Sequence, residues 1–219
     1  MPAGYFAPAT GLLWKMVAGY GLDPTRLFQA CDIAPERIGD PDLRLPNKTA
    51  DRLWALAAEQ IDDPCFGLHA ARHLHPSHLG ALGYAWLASP SLRTALQRLT
   101  RYLRLLTDQR EILLQESGDQ LLVETRLEPG ALAQPERAHV AMTVLMTMCR
   151  WNVGPELRPL AVSFHHDANP CAAEFDAFFG CSVEFASERN GIVLHLDDAD
   201  RAVEPQRAHP ATASWGVGN

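Results

Sequence analysis

The chain has 219 residues, of which 47% are hydrophobic and 21% are charged, a composition that excludes a disordered protein and is typical of a globular one. Its 19 basic and 26 acidic residues give a formal net charge of −7, so the chain as a whole lacks the excess of cations with which proteins grip the DNA backbone. Its five cysteines are irregularly spaced without a CxxC pair, which argues against a zinc knuckle or a disulfide framework and favours free thiols in a reducing compartment.

The beginning of the chain carries no targeting pattern. Residues 1–10 lack a basic segment followed by an apolar run, which argues against a secretory signal. No stretch of about 18 uninterrupted apolar residues occurs, so the sequence predicts no membrane span. We therefore expect a cytoplasmic location and no membrane partner.

Residues 1–78 are predicted to form a helical portion. Apolar residues recur at helical spacing after Thr10, and Gly21 is placed to end that helix. Asp23 and Pro24 supply a cap and a first-turn proline for the next helix. Helix, turn and helix over 10–38 mimic a helix-turn-helix, but the second helix offers few side chains that read bases, so packing of a helical hairpin is the favoured interpretation.

Residues 79–200 are predicted to form an α+β portion, continuous with the first as one domain. The elements expected here are a helical pair over 79–106, a hairpin of 110–116 and 120–127, a helix over 135–152, a strand over 160–164, a helix after Pro170, and a second hairpin whose strands flank an Asn190-Gly191 type I′ turn. Hairpin-joined strands favour a mostly antiparallel or mixed sheet with helices packed on it. The Pro-, Ala- and Gly-rich residues 201–219 are expected to form a disordered tail.

Two groups of histidines could carry metal chemistry. His69 and His73 stand at i and i+4 on a predicted helix, a spacing at which two imidazoles can share a metal ion. No glutamate lies between them as in HExxH, so a solvated helix end is the favoured interpretation. His165-His166-Asp167 is similarly interpreted as a hydrogen-bonded loop. Without a GxSxG elbow or a phosphate-binding loop, we expect no enzyme, no cofactor and no metal, and keep a metal-dependent enzyme using His69 and His73 as an alternative.

Four segments resemble one family when they are taken together. Residues 79–102, beginning LGALGYAWLASPSL, are similar to the LGxxGYAxLxSPTLxxALxxLxRY stretch in the N-terminal, arabinose-binding-like domain of AraC-type transcription regulators. Residues 178–196 resemble the FFGCPVxFxxxxNxLxF ending of that domain, 21–33 resemble its GLDxxxLLxxxGI opening, and 63–68 resemble its DPxxGL motif. The resemblance covers about Leu12 to Leu196.

This resemblance implies a ligand-sensing and dimerisation domain that binds a small-molecule effector and controls an attached helix-turn-helix domain. It also implies a homodimer. In this family the DNA-binding domain follows the sensor, whereas this chain ends at Asn219, so DNA binding is expected only through a C-terminal domain of a longer parent protein. Whether the chain is excised or naturally short stays open. The alternative is a stand-alone interaction module that forms mixed dimers with a full-length regulator.

The candidate ligand-binding residues are Tyr84, Trp86, Arg101 and Tyr102. The three aromatic residues fit a mostly apolar pocket by type, with ordinary core packing as the alternative. Arg101 belongs to a row of four arginines that could bind an anionic effector or form a wet helix face; the others are Arg93, Arg98 and Arg104.

The candidate dimerisation residues are Met142 and Met146. They lie on the 135–152 helix, which carries apolar side chains around more than one face. Such a helix is either fully buried or faces a partner, and the sequence does not choose between the two.

Overall fold

The computed structural model describes residues 4–168 and 170–203 and shows helices packed against a small sheet. The helices are α1 (Thr10–Gly19), α2 (Pro24–Gln29), α3 (Asn47–Ile61), α4 (Ala70–His73), α5 (Gly80–Leu87), α6 (Leu92–Tyr102), α7 (Pro135–Val153), α8 (Ala172–Phe179) and α9 (Leu196–Asp200). The strands are β1 (Tyr5–Phe6), β2 (Arg44–Leu45), β3 (Arg110–Ser117), β4 (Gln120–Leu127), β5 (Ala161–Ser163), β6 (Val183–Glu184) and β7 (Asn190–His195). None of the helices in these residues is long and apolar enough to cross a membrane.

Local sequence signals account for the helix boundaries. The Asp23 carboxylate accepts a hydrogen bond from the backbone N–H of Thr25 at 2.9 Å and thereby caps α2. Ser91 caps α6 in the same way through the N–H of Thr94 at 3.2 Å. The predicted helical hairpin packs as expected, because α1 and α2 meet through the rings of Trp14 and Phe28, whose centroids are 5.1 Å apart.

The larger sheet confirms the predicted α+β class with a mixed sheet. Its five strands run in the order β3-β4-β7-β5-β6. The first hairpin is as predicted, because β3 pairs antiparallel with β4 in an unbroken register from Arg110 opposite Leu127 to Ser117 opposite Gln120. Only the β5–β6 pair is parallel within this sheet.

The predicted second hairpin is wrong. Asn190 and Gly191 are the first two residues of β7 and pair with Thr125 and Glu124 of β4 instead of forming a turn. β6 pairs with β5 and not with β7. A Cβ at position 191 would lie 2.9 Å from Cδ1 of Leu122, so glycine serves close packing between strands here rather than a turn conformation.

α7 forms the centre of the fold. Buried residues from both sequence portions, from Phe6 to Ala199, belong to one hydrophobic cluster around it. Gly67 lies against this helix, since a Cβ there would be 2.2 Å from the Cβ of His139. Trp86 of α5 is fully buried and donates its indole N–H to the carbonyl of Met148 at 2.8 Å. The helical portion and the sheet therefore pack on the same helix.

The cysteines differ from the expectation of five free thiols. Cys65 and Cys171 form a disulfide with their Cα atoms 5.6 Å apart, whereas Cys31, Cys149 and Cys181 are free. The bonded pair is separated by 106 residues in sequence and joins the helical portion to the segment before α8. Sequence spacing could not reveal the pair, because the fold alone brings the two residues together.

The predicted tail lies mostly outside the described residues, which end at Val203. The described beginning of that segment is paired with the rest of the chain. Ala202 forms a β-bridge with Ser91, and the N–H of Val203 donates to the carbonyl of Pro90 at 2.9 Å.

Candidate functional site

A cavity of about 150 Å³ lies between the β3–β4 hairpin and the helices that cover it. A cavity of about this size in another protein holds benzene. Most of its wall is aliphatic, and those residues lie between positions 9 and 148: Ala9, Leu12, Leu74, Leu79, Leu99, Leu103, Leu106, Ile112, Val140, Ala141, Val144, Leu145 and Met148. An apolar concave wall with a few polar groups is the usual form of a small-molecule site.

Arg137 of α7 is the first polar group of the wall, and its charge is compensated. Its side chain is 6% exposed and forms an ion pair with Asp51 of α3. It also donates to Oε1 of Gln109 at 3.1 Å, and Gln109 in turn donates to Asp51. The guanidinium lies 5.6 Å from the centre of the Tyr5 ring. A buried cation with this set of partners is stably held.

Arg110 of β3 is the second cation of the wall, and its surroundings differ. Among residues 4–168 and 170–203, no carboxylate forms an ion pair with it and no group hydrogen-bonds to its side chain. Burial, and then the charge of Arg137, lowers the pKa of Arg110 to about 10. The side chain is therefore still a cation at neutral pH, held in a place where its charge is poorly solvated.

His78 and Trp54 add donors to the same wall. Burial, followed by the charge of Lys15, lowers the pKa of His78 to about 4, so the imidazole is neutral at pH 7. Its Nδ1 accepts the backbone N–H of His75 at 3.1 Å, which places the proton on Nε2. The buried indole Nε1 of Trp54 has no hydrogen-bond partner in the described part of the chain.

The four predicted ligand-binding residues do not line this cavity. Tyr84 is 50% exposed and Tyr102 is 39% exposed, and the guanidinium of Arg101 lies over the Tyr102 ring at 5.4 Å on the surface. Trp86 is fully buried and touches the cavity only through its hydrogen bond to the backbone of Met148, which is a wall residue. The structure brings Arg110, Arg137 and His78 to the wall instead.

The remaining arginines of the predicted row form contacts with other protein groups outside the cavity. Arg93 forms ion pairs with Glu116 and Asp200. Arg98 donates to the carbonyl of Ala85 at 3.0 Å. Arg104 pairs with Glu128 at 3.3 Å, and its side chain is 73% exposed. Arg104 fits the alternative of a wet helix face, whereas Arg93 and Arg98 are partly buried, and none of the three lines the cavity.

The predicted dimerisation residues lie inside the chain. Met142 and Met146 both have no exposed surface, and the Met142 sulfur accepts a hydrogen bond from the Thr125 hydroxyl at 3.9 Å. α7 carries apolar residues all round because it is covered on several sides by its own chain. In this fold the two methionines therefore offer no surface to a second protomer.

The predicted histidine pair is held by other contacts. Nδ1 of His69 lies 2.6 Å from the Tyr20 hydroxyl, which also donates to Asp63, and His73 lies beside Gly19. In the part of the chain that the structure describes, one group of three potential metal ligands occurs, namely Asp63, Cys65 and Cys171, and its two sulfurs are joined in the disulfide.

His139 and His166 form a second histidine pair on the side of α7 away from the hairpin. Their Nε2 atoms are 2.8 Å apart. Nδ1 of His166 lies 2.8 Å from the Asp167 carbonyl and donates to it. Burial, and then the charge of His166, lowers the pKa of His139 to about 3. His139 is therefore neutral at pH 7, and the contact between the two rings is structural.

Comparison with known proteins assigns the family. A family model described as the N-terminal arabinose-binding domain of AraC transcription regulator matches residues 21–203. The ornithine utilization regulator of Pseudomonas aeruginosa is 28% identical over 202 residues, which are 91% of this chain and 59% of that protein. The crystal structure of the transcriptional regulator CdpR from Pseudomonas aeruginosa has a TM-score of 0.63 at 19% identity and covers 90% of this chain and 58% of that one.

The comparisons differ in what they show about this chain. At 19% identity the CdpR likeness shows the fold alone. The chain spans less than two thirds of the length of either relative. The matched family and both relatives are transcription regulators and not enzymes, which is the class that the sequence motifs indicated.

Proposed function

Because this chain belongs to the family of N-terminal arabinose-binding domains of AraC transcription regulators, we propose that it senses a small effector molecule in the cavity beside Arg110 and Arg137. The observation that carries the proposal is the cavity itself, whose volume of about 150 Å³ and apolar wall with a few polar groups suit one small guest.

The walls of the cavity also suggest how occupancy acts on the rest of the molecule. Ala9 and Leu12 from the first helical segment, Leu99 from α6 and Val144 from α7 all face the same space. A guest that binds one arrangement of these elements more tightly than another shifts the population toward it. In a longer parent protein, that shift would control a helix-turn-helix domain that follows in sequence, which is the only route to DNA in this proposal.

Thermal denaturation with a ligand panel tests the sensing proposal. The panel holds small acids, alcohols, amides and amino acids, and it includes ornithine because one relative is named for ornithine utilization. A guest at 100 times its Kd stabilises the folded state by about 2.7 kcal/mol, which raises the melting temperature of a chain of this size by about 5 °C or more. A flat response to the whole panel would contradict the proposal.

A cavity-filling variant shows whether the response comes from this cavity. Ala141 of α7 lines the cavity, and Ala141→Phe places a large side chain in it. We expect this variant to fold and to lose the response to every guest. Ala81→Phe is the matched control, because Ala81 lies exposed on α5 and away from the wall. An unchanged response in Ala141→Phe would place the guest elsewhere.

We also propose that the protein forms a homodimer, as its family resemblance implies. The interface lies outside Met142 and Met146, since both are buried within one chain. Sedimentation equilibrium over a range of concentrations tests this, and a single monomer mass at all concentrations would contradict it.

A further inference from the structure

One of the two arginines in the wall of the cavity has no ion-pair partner among the described residues. The guanidiniums of Arg110 and Arg137 both line the cavity, and the carboxylate of Asp51 pairs with Arg137. Burial, and then the charge of Arg137, act against the charged form of Arg110, and the charge of Asp51 offsets this only in part. A partly buried cation without an ion-pair partner of its own is costly to hold in place. An anion beside Arg110 would remove that cost.

Glu111 also lines the cavity but does not supply this anion. It follows Arg110 on β3, so the two side chains lie on opposite faces of the strand. Glu111 is registered directly opposite Arg126 of β4, whose pKa is raised first by its hydrogen bond with Glu124 and, to a smaller extent, by the charge of Glu111. The carboxylate therefore acts on a different arginine, on the other face of the hairpin.

The rest of the wall limits the size and the polarity of the molecule that the cavity can hold. The remaining lining is mainly leucine, valine and methionine, which offer no partner to further charges or hydroxyls. The volume of about 150 Å³ matches a body of about six carbon atoms. Polar groups on the wall include the neutral His78, the indole N–H of Trp54 and the hydroxyls of Thr107 and Thr125. None of them carries a negative charge that would attract an amine.

On the basis of the sensing function proposed above, we propose that the effector is a small apolar carboxylic acid whose carboxylate binds Arg110 and whose hydrocarbon body fills the cavity. Arginine suits this task because its planar guanidinium can donate two parallel hydrogen bonds to a carboxylate. The same arrangement disfavours amines, whose charge would repel Arg110, and sugars, whose several hydroxyls would lie against aliphatic side chains.

Calorimetric titration of the whole chain with matched probes tests the charge preference. Benzoate and hexanoate are compared with benzamide, benzyl alcohol and benzylamine, which keep the size of the body and change the head group. We expect the acids to bind at least ~10-fold more tightly than the neutral probes, and benzylamine to bind least. Acid and amide binding with equal affinity would overturn the proposal, while leaving the sensing function intact.

Variants of Arg110 assign the preference to that residue. Arg110→Met keeps the length and apolar stem of the side chain and removes the charge, so the affinity for benzoate is expected to fall to that for benzamide, which still binds. Arg110→Lys keeps a cation and is expected to retain part of the preference. Arg37→Met is the control, because Arg37 is an exposed residue paired with Asp40 far from the wall.

The remaining outcomes separate the two proposals. If Arg110→Met binds benzoate as tightly as the native chain does, the carboxylate lies elsewhere and this inference fails. If neither acids nor neutral probes bind, both this inference and the sensing function fail. If Arg110→Met does not fold, the acid-to-amide ratio of the native chain together with Arg110→Lys decides, since a ratio of one in either protein contradicts a role for this charge.

Discussion

The two sides of α7 differ in how closely their surroundings are packed. On one side, Phe164, Phe175 and Phe179 are fully buried, and the Phe164 ring lies 5.5 Å from that of Phe175. On the other side, Ala141 and Val144 face a cavity of about 150 Å³ with two arginines in its wall. One helix thus has a filled aromatic side and an open aliphatic side. The comparison suggests that the first supplies stability and that the second is shaped for a guest.

The largest expected effect is on the aromatic side. Phe164→Ala removes a ring that contacts Phe175, Phe179 and Phe185, and we expect it to lower the free energy of unfolding by about 4 kcal/mol. Val144→Ala, on the cavity side, is expected to cost about 1 kcal/mol, because this side chain already faces open space. Urea denaturation measures both. Equal costs would contradict the difference between the two sides.

The next effect concerns the charges on the cavity side. Asp51→Ala leaves Arg137 buried beside Arg110 without a counter-charge, so we expect a loss of about 3 kcal/mol of stability. Asp40→Ala is the matched control, since it breaks an exposed pair with Arg37 and is expected to change the stability little. If the two variants unfold at the same urea concentration, Asp51 does not stabilise the wall.

Lowering the pH is expected to reduce the stability by a smaller amount. The groups responsible are His139 on the aromatic side of α7 and His78 on the cavity side. Their folded-state pKa values of about 3 and about 4 lie below the unfolded value of about 6.5. Below pH 6.5 the unfolded chain therefore binds protons that the folded chain does not, and stability falls with pH until the folded-state values are reached. Each histidine is expected to cost about 2 kcal/mol at pH 5.

The slope of stability against pH is the measurement that separates this effect from that of other groups. His139→Gln removes one titrating group from the aromatic side, so the loss of stability between pH 6.5 and 5 is expected to be smaller by about 2 kcal/mol. His165→Gln is the control, because His165 is exposed. A slope in His139→Gln equal to that of the native chain would show that His139 binds a proton in the folded state.

Much of the fold could be predicted because its signals are local. Asp23 and Ser91 are N-cap residues that mark the starts of α2 and α6. The short loop between β3 and β4 sets the register of the first hairpin. The partner of β7 could not be predicted, because the alternation of apolar and polar residues indicates which face of a strand is buried but not which strand lies beside it. Asn190-Gly191 has the residues of a turn, yet tertiary packing uses the glycine inside a strand.

The candidate site was less accessible from the sequence. The leucine stripe of α6 correctly predicts that Leu99 faces inward, and Arg101, two residues further on, lies about 200° around the helix and therefore faces outward. Arg110 and Ile112 are two residues apart on β3, so their side chains lie on the same face of the strand. An arginine on the buried face of a predicted strand was therefore the sequence signal for this site. That Arg110 has no ion-pair partner in the described part of the chain could be recognised only from the folded structure.

The bond between Cys65 and Cys171 changes how the chain behaves when a protease cuts it. The link spans 106 residues, including the exposed connection 128–134 between β4 and α7. A cut in that connection yields two fragments that stay covalently joined while the bond is intact. Electrophoresis of the nicked protein is therefore expected to show one band without reductant and two with it, so integrity judged on a gel without reductant would hide the break.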